Sequence, residues 1–174
     1  VPNFHSRTAT PADAPILSDI GRRTFVETFG HLYRPEDLAA FLLNHDADVW
    51  AEELSDPTLT VRLVEDDGVA AAFAKVGDLK LPVETERPAA ELRQFYVLKP
   101  WQGAGLAPGL MAWVLDEARA RGAEELYLSV FSENHRARRF YERYGFEFVA
   151  PYAFMVGEQA DEDHILRLSL KDQA

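Results

Sequence analysis

The chain has 174 residues, 47% of them hydrophobic, with no break in composition, so one core and a single domain over residues 1–174 are expected. Its 29 acidic and 18 basic side chains argue against a nucleic-acid partner, and the lack of cysteine excludes a disulfide framework, a thiol nucleophile and a cysteine metal site. Histidines 5, 31, 45, 135 and 164 have no ligand spacing, no long apolar run is present, and VPNFHSRTAT lacks the pattern of a secretory leader, so no metal, no membrane and a cytoplasmic location are expected.

Residues 11 to 30 read as a helix, with Thr10 as N-cap and Ile16, Ile20, Phe25 and Phe29 as its apolar positions. A second helix over 35 to 54 is interrupted near 44 to 48. Residues 58 to 64 and 69 to 76 read as a hairpin whose Asp66-Asp67-Gly68 signal marks the turn. A loop over 77 to 88 follows, then a strand over 91 to 98, a helix over 106 to 122 and a strand over 126 to 131. The chain ends with a helix over 134 to 144 and two strands, 146 to 154 and 164 to 170, separated by a polar turn. Charge is unevenly placed along this order. Residues 1–90 hold 16 acidic and 8 basic side chains, a net of −8, whereas residues 91–145 hold 7 acidic and 8 basic, a net of +1. A near-neutral segment suits an anionic ligand and an acidic remainder suits a cationic one.

The most specific local signal is QGAGLAPGLM, Gln102 to Met111, between the strand and the helix. Glycines 103 and 105 let the backbone turn tightly, and the free N–H groups of the first helical turn point at whatever anion lies there. Pro108 falls in the first turn, where its missing N–H costs nothing. A P-loop is excluded, because Leu106 and Ala107 stand where Lys and Ser or Thr are needed. The dinucleotide fingerprint fails too, with Pro108 at its third small position and no acidic residue awaiting a ribose. One strand further on, Asn134, Ala137, Phe140, Tyr141, Gly145 and Phe146 form N-x-x-A-x-x-F-Y-x-x-x-G-F.

Gln102, Gly105 and Ala107 fit the Q/R-x-x-G-x-G/A signature, and together with the second motif they make Leu92 to Phe146 resemble the GCN5-related N-acetyltransferase (GNAT) superfamily. TFVETF at Thr24 to Phe29, Pro35-Glu36, ELRQFYV at Glu91 to Val97 and the tail from Phe154 to Leu170 are similar to PaiA-type acetyltransferases, whose substrates include spermidine and spermine. The resemblance implies an α/β fold with a mixed central sheet of about six to seven strands, splayed at its centre and flanked by about four helices. It implies acetyl-coenzyme A as cosubstrate. Backbone groups of Phe95, Tyr96 and Val97 would receive the pantetheine arm and acyl carbonyl. The turn Gln102, Gly103, Ala104, Gly105, Leu106 and Ala107 would hold the pyrophosphate. Asn134 and Ala137 would meet the rest of the coenzyme, and Arg143, or another of Arg136, Arg138 and Arg139, its 3′-phosphate.

By the same resemblance Tyr141 would protonate the departing thiolate, and Glu91 is the candidate base, acting through water. The acceptor slot would be lined by Phe25, Glu27, Phe29 and Tyr33 on one side and by Glu158, Asp161, Glu162 and Asp163 on the other. The expected partner is a small-molecule amine, with polyamines favoured, and a homodimer stays open as the assembly. Two other functions stay open at this stage: a peptide or protein amino-terminal acetyltransferase, and a noncatalytic acyl-coenzyme A-binding regulatory module.

Overall fold

The computed structural model describes residues 1–171. Seven strands form one sheet in the order β1-β2-β3-β4-β5-β7-β6: β1 Phe4–Thr8, β2 Thr60–Asp66, β3 Val69–Asp78, β4 Ala89–Val97, β5 Glu125–Phe131, β6 Glu147–Val156 and β7 Gln159–Ser169. The helices are α1 Ala14–Phe29, α2 Pro35–Leu42, α3 Ala47–Leu54, α4 Leu106–Ala120 and α5 His135–Arg143. All neighbouring strands are antiparallel except β4 and β5. That parallel pair needs a crossover, and α4 is the crossover.

The apolar stripe of α4, Leu106, Leu110, Met111, Val114, Leu115 and Ala118, buries against one sheet face together with Tyr141 and Phe146. The other face is covered by α1 and α3 through Leu17, Ile20 and Trp50, packed on Leu63 and Phe73. The break between α2 and α3 is a single 3-10 turn, Leu43–His45. Strand β1 is an edge strand that no apolar alternation announces, since only Phe4 is even partly buried. Strand β3 continues two residues into the expected loop, and α4 ends at Ala120 rather than 122.

The carboxyl-terminal hairpin differs most from the sequence expectation. Its turn is confined to Gly157 and Glu158, and β7 starts at Gln159, so the polar stretch 159–163 is strand rather than turn. Gly157 adopts φ +59, and a Cβ there would fall 2.6 Å from the Asp37 Cα. Helix α2 therefore lies directly on the hairpin. Asp37 accepts the Glu158 backbone N–H at 3.0 Å and an Arg34 N–H at 3.0 Å.

A buried polar pair joins the Leu43–His45 turn to α3. The Trp50 indole donates to His45 Nδ1 at 3.2 Å, and Lys75 lies over the Trp50 ring at 4.5 Å while paired to Glu53 at 2.6 Å. His45 fits because residue 21 is glycine: a Cβ at Gly21 would stand 2.4 Å from His45 Nδ1. Alanine in place of a mid-helix glycine normally gains up to about 1 kcal/mol. Here Gly21→Ala is expected to cost about 1–3 kcal/mol by overpacking. A thermal melt should show a fall in Tm of several degrees, and a rise would show that the His45 pocket yields freely.

Candidate active site

The site begins with a register slip. Lys75 pairs with Gln94 and Val76 with Leu92, which leaves Arg93 unmatched in a bulge. Bulges bend the strand that carries them. Strand β4 accordingly meets β5 only at Ala89, Ala90 and Glu91, opposite Glu125, Leu126 and Tyr127, and the two then diverge. Strand β5 stays paired with β7 as far as Phe131 opposite Asp163. From Leu92 to Val97, β4 keeps β3 on one side, and its other backbone edge faces a cleft of about 1010 Å³. A cleft of that size can hold a large cofactor or a smaller one with a second ligand. Phe95, Tyr96 and Val97 line it as expected, although the Val97 carbonyl is already taken by the Gln102 side-chain amide at 3.0 Å.

At one end of the cleft lies the glycine turn. Gly103 and Gly105 adopt φ +78 and +84, and Gly105 is the N-cap of α4. Only glycine takes this left-handed conformation without strain. A Cβ at either position would meet nothing within 4 Å, so the space beside the turn is open to a ligand. Gln102, Gly103, Gly105 and Ala107 line the cleft with Pro108. Ala104 and Leu106 do not: Ala104 faces out, and Leu106 is buried in the core below the turn. Gln102 acts as a brace between the turn and β4 rather than as a free cleft group.

Helix α5 forms the facing wall. Asn134 caps it by accepting the Ala137 N–H at 3.3 Å, and Asn134, Ala137, Arg136, Arg139, Phe140 and Arg143 line the cleft. Arg138 is removed from the candidate set, since it donates to the Ser132 carbonyl and does not line the cleft. Arg143 stands over the Phe140 ring at 5.9 Å. Tyr141 is 8% exposed, held edge-on between Phe95 at 6.4 Å and Phe146 at 5.7 Å, and still reaches the cleft. Burial raises its hydroxyl above the ordinary tyrosine value, so it is a protonated donor at neutral pH.

The opposite end is aromatic and acidic. Phe25, Glu27, Phe29 and Tyr33 line it together with Phe131, Phe154, Asp161 and Asp163. The rings form a continuous set, Phe25 stacking on Phe41 at 4.1 Å and on Tyr33 at 5.9 Å, and Phe29 meeting Phe131 edge-on at 6.1 Å. Tyr33 donates its hydroxyl hydrogen bond to Asp161, while Glu27 accepts the Lys99 backbone N–H at 3.1 Å. Of the four acids expected from the tail, two reach the cleft. Glu158 lies at the outer turn, and Glu162 points to the exposed side of β7.

Glu91 does not fit the role expected of it. Its carboxylate is buried and accepts the backbone N–H groups of Lys80 at 2.8 Å and Leu81 at 3.1 Å, and it lies outside the cleft lining. It anchors the 79–88 loop. The ionisable group that sequence reasoning undervalued is Asp163, only 5% exposed. Burial pushes its carboxyl up to about 7, Asp161 adds to the shift, and the Ser129 hydroxyl beside it pulls the other way. A signal was available in β7. Asp161 and Asp163 alternate in phase with Ile165, which places two acids on the face that carries core residues.

Known proteins can be set beside this geometry. The sequence profile of the Acetyltransferase (GNAT) family matches residues 21–146. An N-acetyltransferase of Mycobacterium tuberculosis, itself uncharacterised, is 30% identical over 155 residues, covering 88% of this chain and 96% of its own. The chain belongs to the GNAT acetyltransferase family. It is therefore an acyltransferase by membership. The fold is shared with the PaiA N-acetyltransferase of Thermoplasma acidophilum, solved in complex with coenzyme A, at TM-score 0.77 and 16% identity over 96% of this chain and 99% of that one. It is also shared with yncA of Salmonella typhimurium, solved with acetyl-CoA, at TM-score 0.73 and 24% identity over 99% and 96%. Among the described residues, no helix is long and apolar enough to cross a membrane.

The raised carboxyl of Asp163 has a cost that this GNAT fold must carry. Unfolded, the group titrates near the ordinary aspartate value of 3.8, and folded near 7. Between those values the folded state holds more protons than the unfolded one, so stability falls as pH rises from about 4 to about 7 and stays reduced above. Asp163→Asn, which removes the charge, is expected to raise Tm by a few degrees at pH 8, on the order of 1–2 kcal/mol after allowance for solvent screening. At pH 4 it should give no gain. Paired melts at the two pH values check this, and an equal Tm at pH 8 would place Asp163 in an ordinary environment.

Proposed function

We propose that the protein transfers an acetyl group from acetyl-coenzyme A to a primary amine of a small molecule by direct attack within a ternary complex. The observation that carries this is the continuity of the cleft from the helix N-terminus at Gly105, along the unpaired edge of β4, to the acids of β7. The free N–H groups of the α4 turn suit a pyrophosphate. Strand β4 offers the coenzyme arm a backbone edge to pair with, and an N–H on that edge can stabilise the oxyanion that forms on the thioester carbonyl. Arg136, Arg139 and Arg143 supply positive charge on the wall where an anionic coenzyme would lie.

In this reading the amine nitrogen attacks the thioester carbon, the C–S bond breaks, and Tyr141 gives its proton to the departing sulfur. No covalent acyl-enzyme is needed, and the chain has no cysteine to form one. A polyamine is the acceptor we favour, because Glu27, Asp161 and Asp163 surround an aromatic slot that can take an aliphatic chain with a second ammonium.

Two measurements test the reading. Ala107→Glu places a carboxylate in the first turn of α4, where negative charge supports the helix but repels a phosphate. Calorimetry should show acetyl-coenzyme A affinity reduced at least about tenfold, near 1.4 kcal/mol, with no loss of Tm. Unchanged affinity would remove the turn from the coenzyme site.

For the chemistry, release of the coenzyme thiol is followed with spermidine and with butylamine. Spermidine should show the higher kcat/KM, by several-fold to tens-fold, and added salt should narrow the difference because partly exposed ion pairs are weak and screened. Tyr141→Phe should lower kcat by about ten- to a thousand-fold while coenzyme affinity stays within a few-fold. A fully active Tyr141→Phe protein would leave this ring as packing, and equal use of the two amines at all salt concentrations would move the acceptor away from polyamines.

A further inference from the structure

Resting on the acetyl-transfer reading above, we infer that Asp163 is the catalytic base that takes the proton from the acceptor ammonium. The other acids of the site are already engaged. Glu91 is occupied by two backbone N–H groups of the 79–88 loop, Glu27 by the Lys99 N–H, and Asp161 by the Tyr33 hydroxyl and by the Gln159 side-chain amide at 3.0 Å. Asp163 alone among the acids lining the cleft has no N–H donor among the described residues, and it is nearly buried there.

Its place in the sheet is also the right one. Asp163 stands opposite Phe131, the last residue of β5, at the mouth of the gap that opens between β4 and β5. An amine that approaches the unpaired edge of β4 from the aromatic slot passes Asp163 before it reaches Tyr96 and Tyr141. The groups around it come from five elements: Asp161 on β7 itself, Tyr33 from the α1–α2 connection, Tyr96 from β4, Ser129 from β5 and Tyr152 of β6, its register partner. None of the groups that shift it is a cation. A carboxyl so surrounded, with the Ser129 hydroxyl as its hydrogen-bond donor, gains a partner of opposite charge when a cation enters, which is what an ammonium substrate supplies. Tyr33 and Gln159 hold Asp161 still beside Asp163.

The proton balance closes. Asp163 takes one proton from the ammonium, and the freed lone pair forms the new C–N bond. The C–S bond breaks, with its electrons left on sulfur, and the thiolate takes the Tyr141 proton. A second nitrogen proton returns through water to the tyrosinate, and the Asp163 proton leaves to solvent. The sum is one amide, one thiol and one proton released. A carboxyl near 7 suits this duty, because it is ionised at working pH yet basic enough to compete for the proton.

The test compares propylamine, an ammonium at neutral pH, with trifluoroethylamine, which is already neutral there. In Asp163→Asn, kcat/KM for propylamine should fall by about a hundred- to ten-thousand-fold at pH 7, while trifluoroethylamine should lose no more than about ten-fold and acetyl-coenzyme A affinity should not change. The unmodified protein provides a second readout that needs no variant. Its kcat/KM for propylamine should fall on the acid side with an apparent pKa near 7, and that limb should move to lower pH with trifluoroethylamine. Equal losses on both amines, or a propylamine profile flat through pH 7, would overturn the base assignment while leaving acetyl transfer intact. No thiol release from any amine by the unmodified protein would sink the acetyl-transfer reading itself.

Discussion

The architecture turns on an incomplete strand pairing. Strands β4 and β5 exchange backbone contacts over three residues and then part, because Arg93 is an extra residue in β4 and bends it toward β3. Unpaired backbone in a protein interior is costly, and here the cost falls on a row of groups that a ligand can satisfy. The crossover helix α4 starts at the widened end of the same gap, so its unpaired N–H groups and the open β4 edge face one space. The bulge thus sits where the strand edge and the helix terminus come to share one cleft.

The acids of the site show how burial alone does not assign a role. Glu91 and Asp163 are both buried carboxyls close to the central strands, yet their partners differ. Two backbone N–H groups donate to Glu91, which fixes a loop, and nothing comparable donates to Asp163. Hydrogen bonding to the charged form offsets desolvation, and at Asp163 the single Ser129 hydroxyl is outweighed by desolvation and by Asp161. The difference between an anchor and a titrating group lies in the partner, not in the residue type.

That difference also explains what was legible in the sequence. The glycine turn and the Asn134 to Phe146 helix are local signals, set by φ at Gly103 and Gly105 and by a cap three residues from its N–H donor, and the fold and most of the cleft-lining residues on these two segments followed from them. The partners of Glu91 lie 10 and 11 residues away across a loop without periodicity, so its engagement could not be read. Strand β1 was missed because an edge strand with one partly buried residue has no alternation to detect. The start of β7 was misplaced because 159–163 is polar enough to resemble a turn, although the reversal needs only Gly157 and Glu158.

Helix α2 has eight residues, too few to persist unaided in water. Its neighbourhood is held to the sheet by the Tyr33 bond to Asp161 and by the Asp37 bond to the Glu158 N–H, contacts that span 128 and 121 residues. These are closures of long loops, whose entropy must be overcome before they yield anything. The gly-turn wall, by contrast, is welded by neighbours in sequence. The two walls of the cleft are consequently held differently: the glycine-turn wall shares the stability of the core, whereas the α2 side rests on these two hydrogen bonds and on the stacking of Phe41 against Phe25 and Phe154. A motion confined to α2 would leave the glycine-turn wall undisturbed.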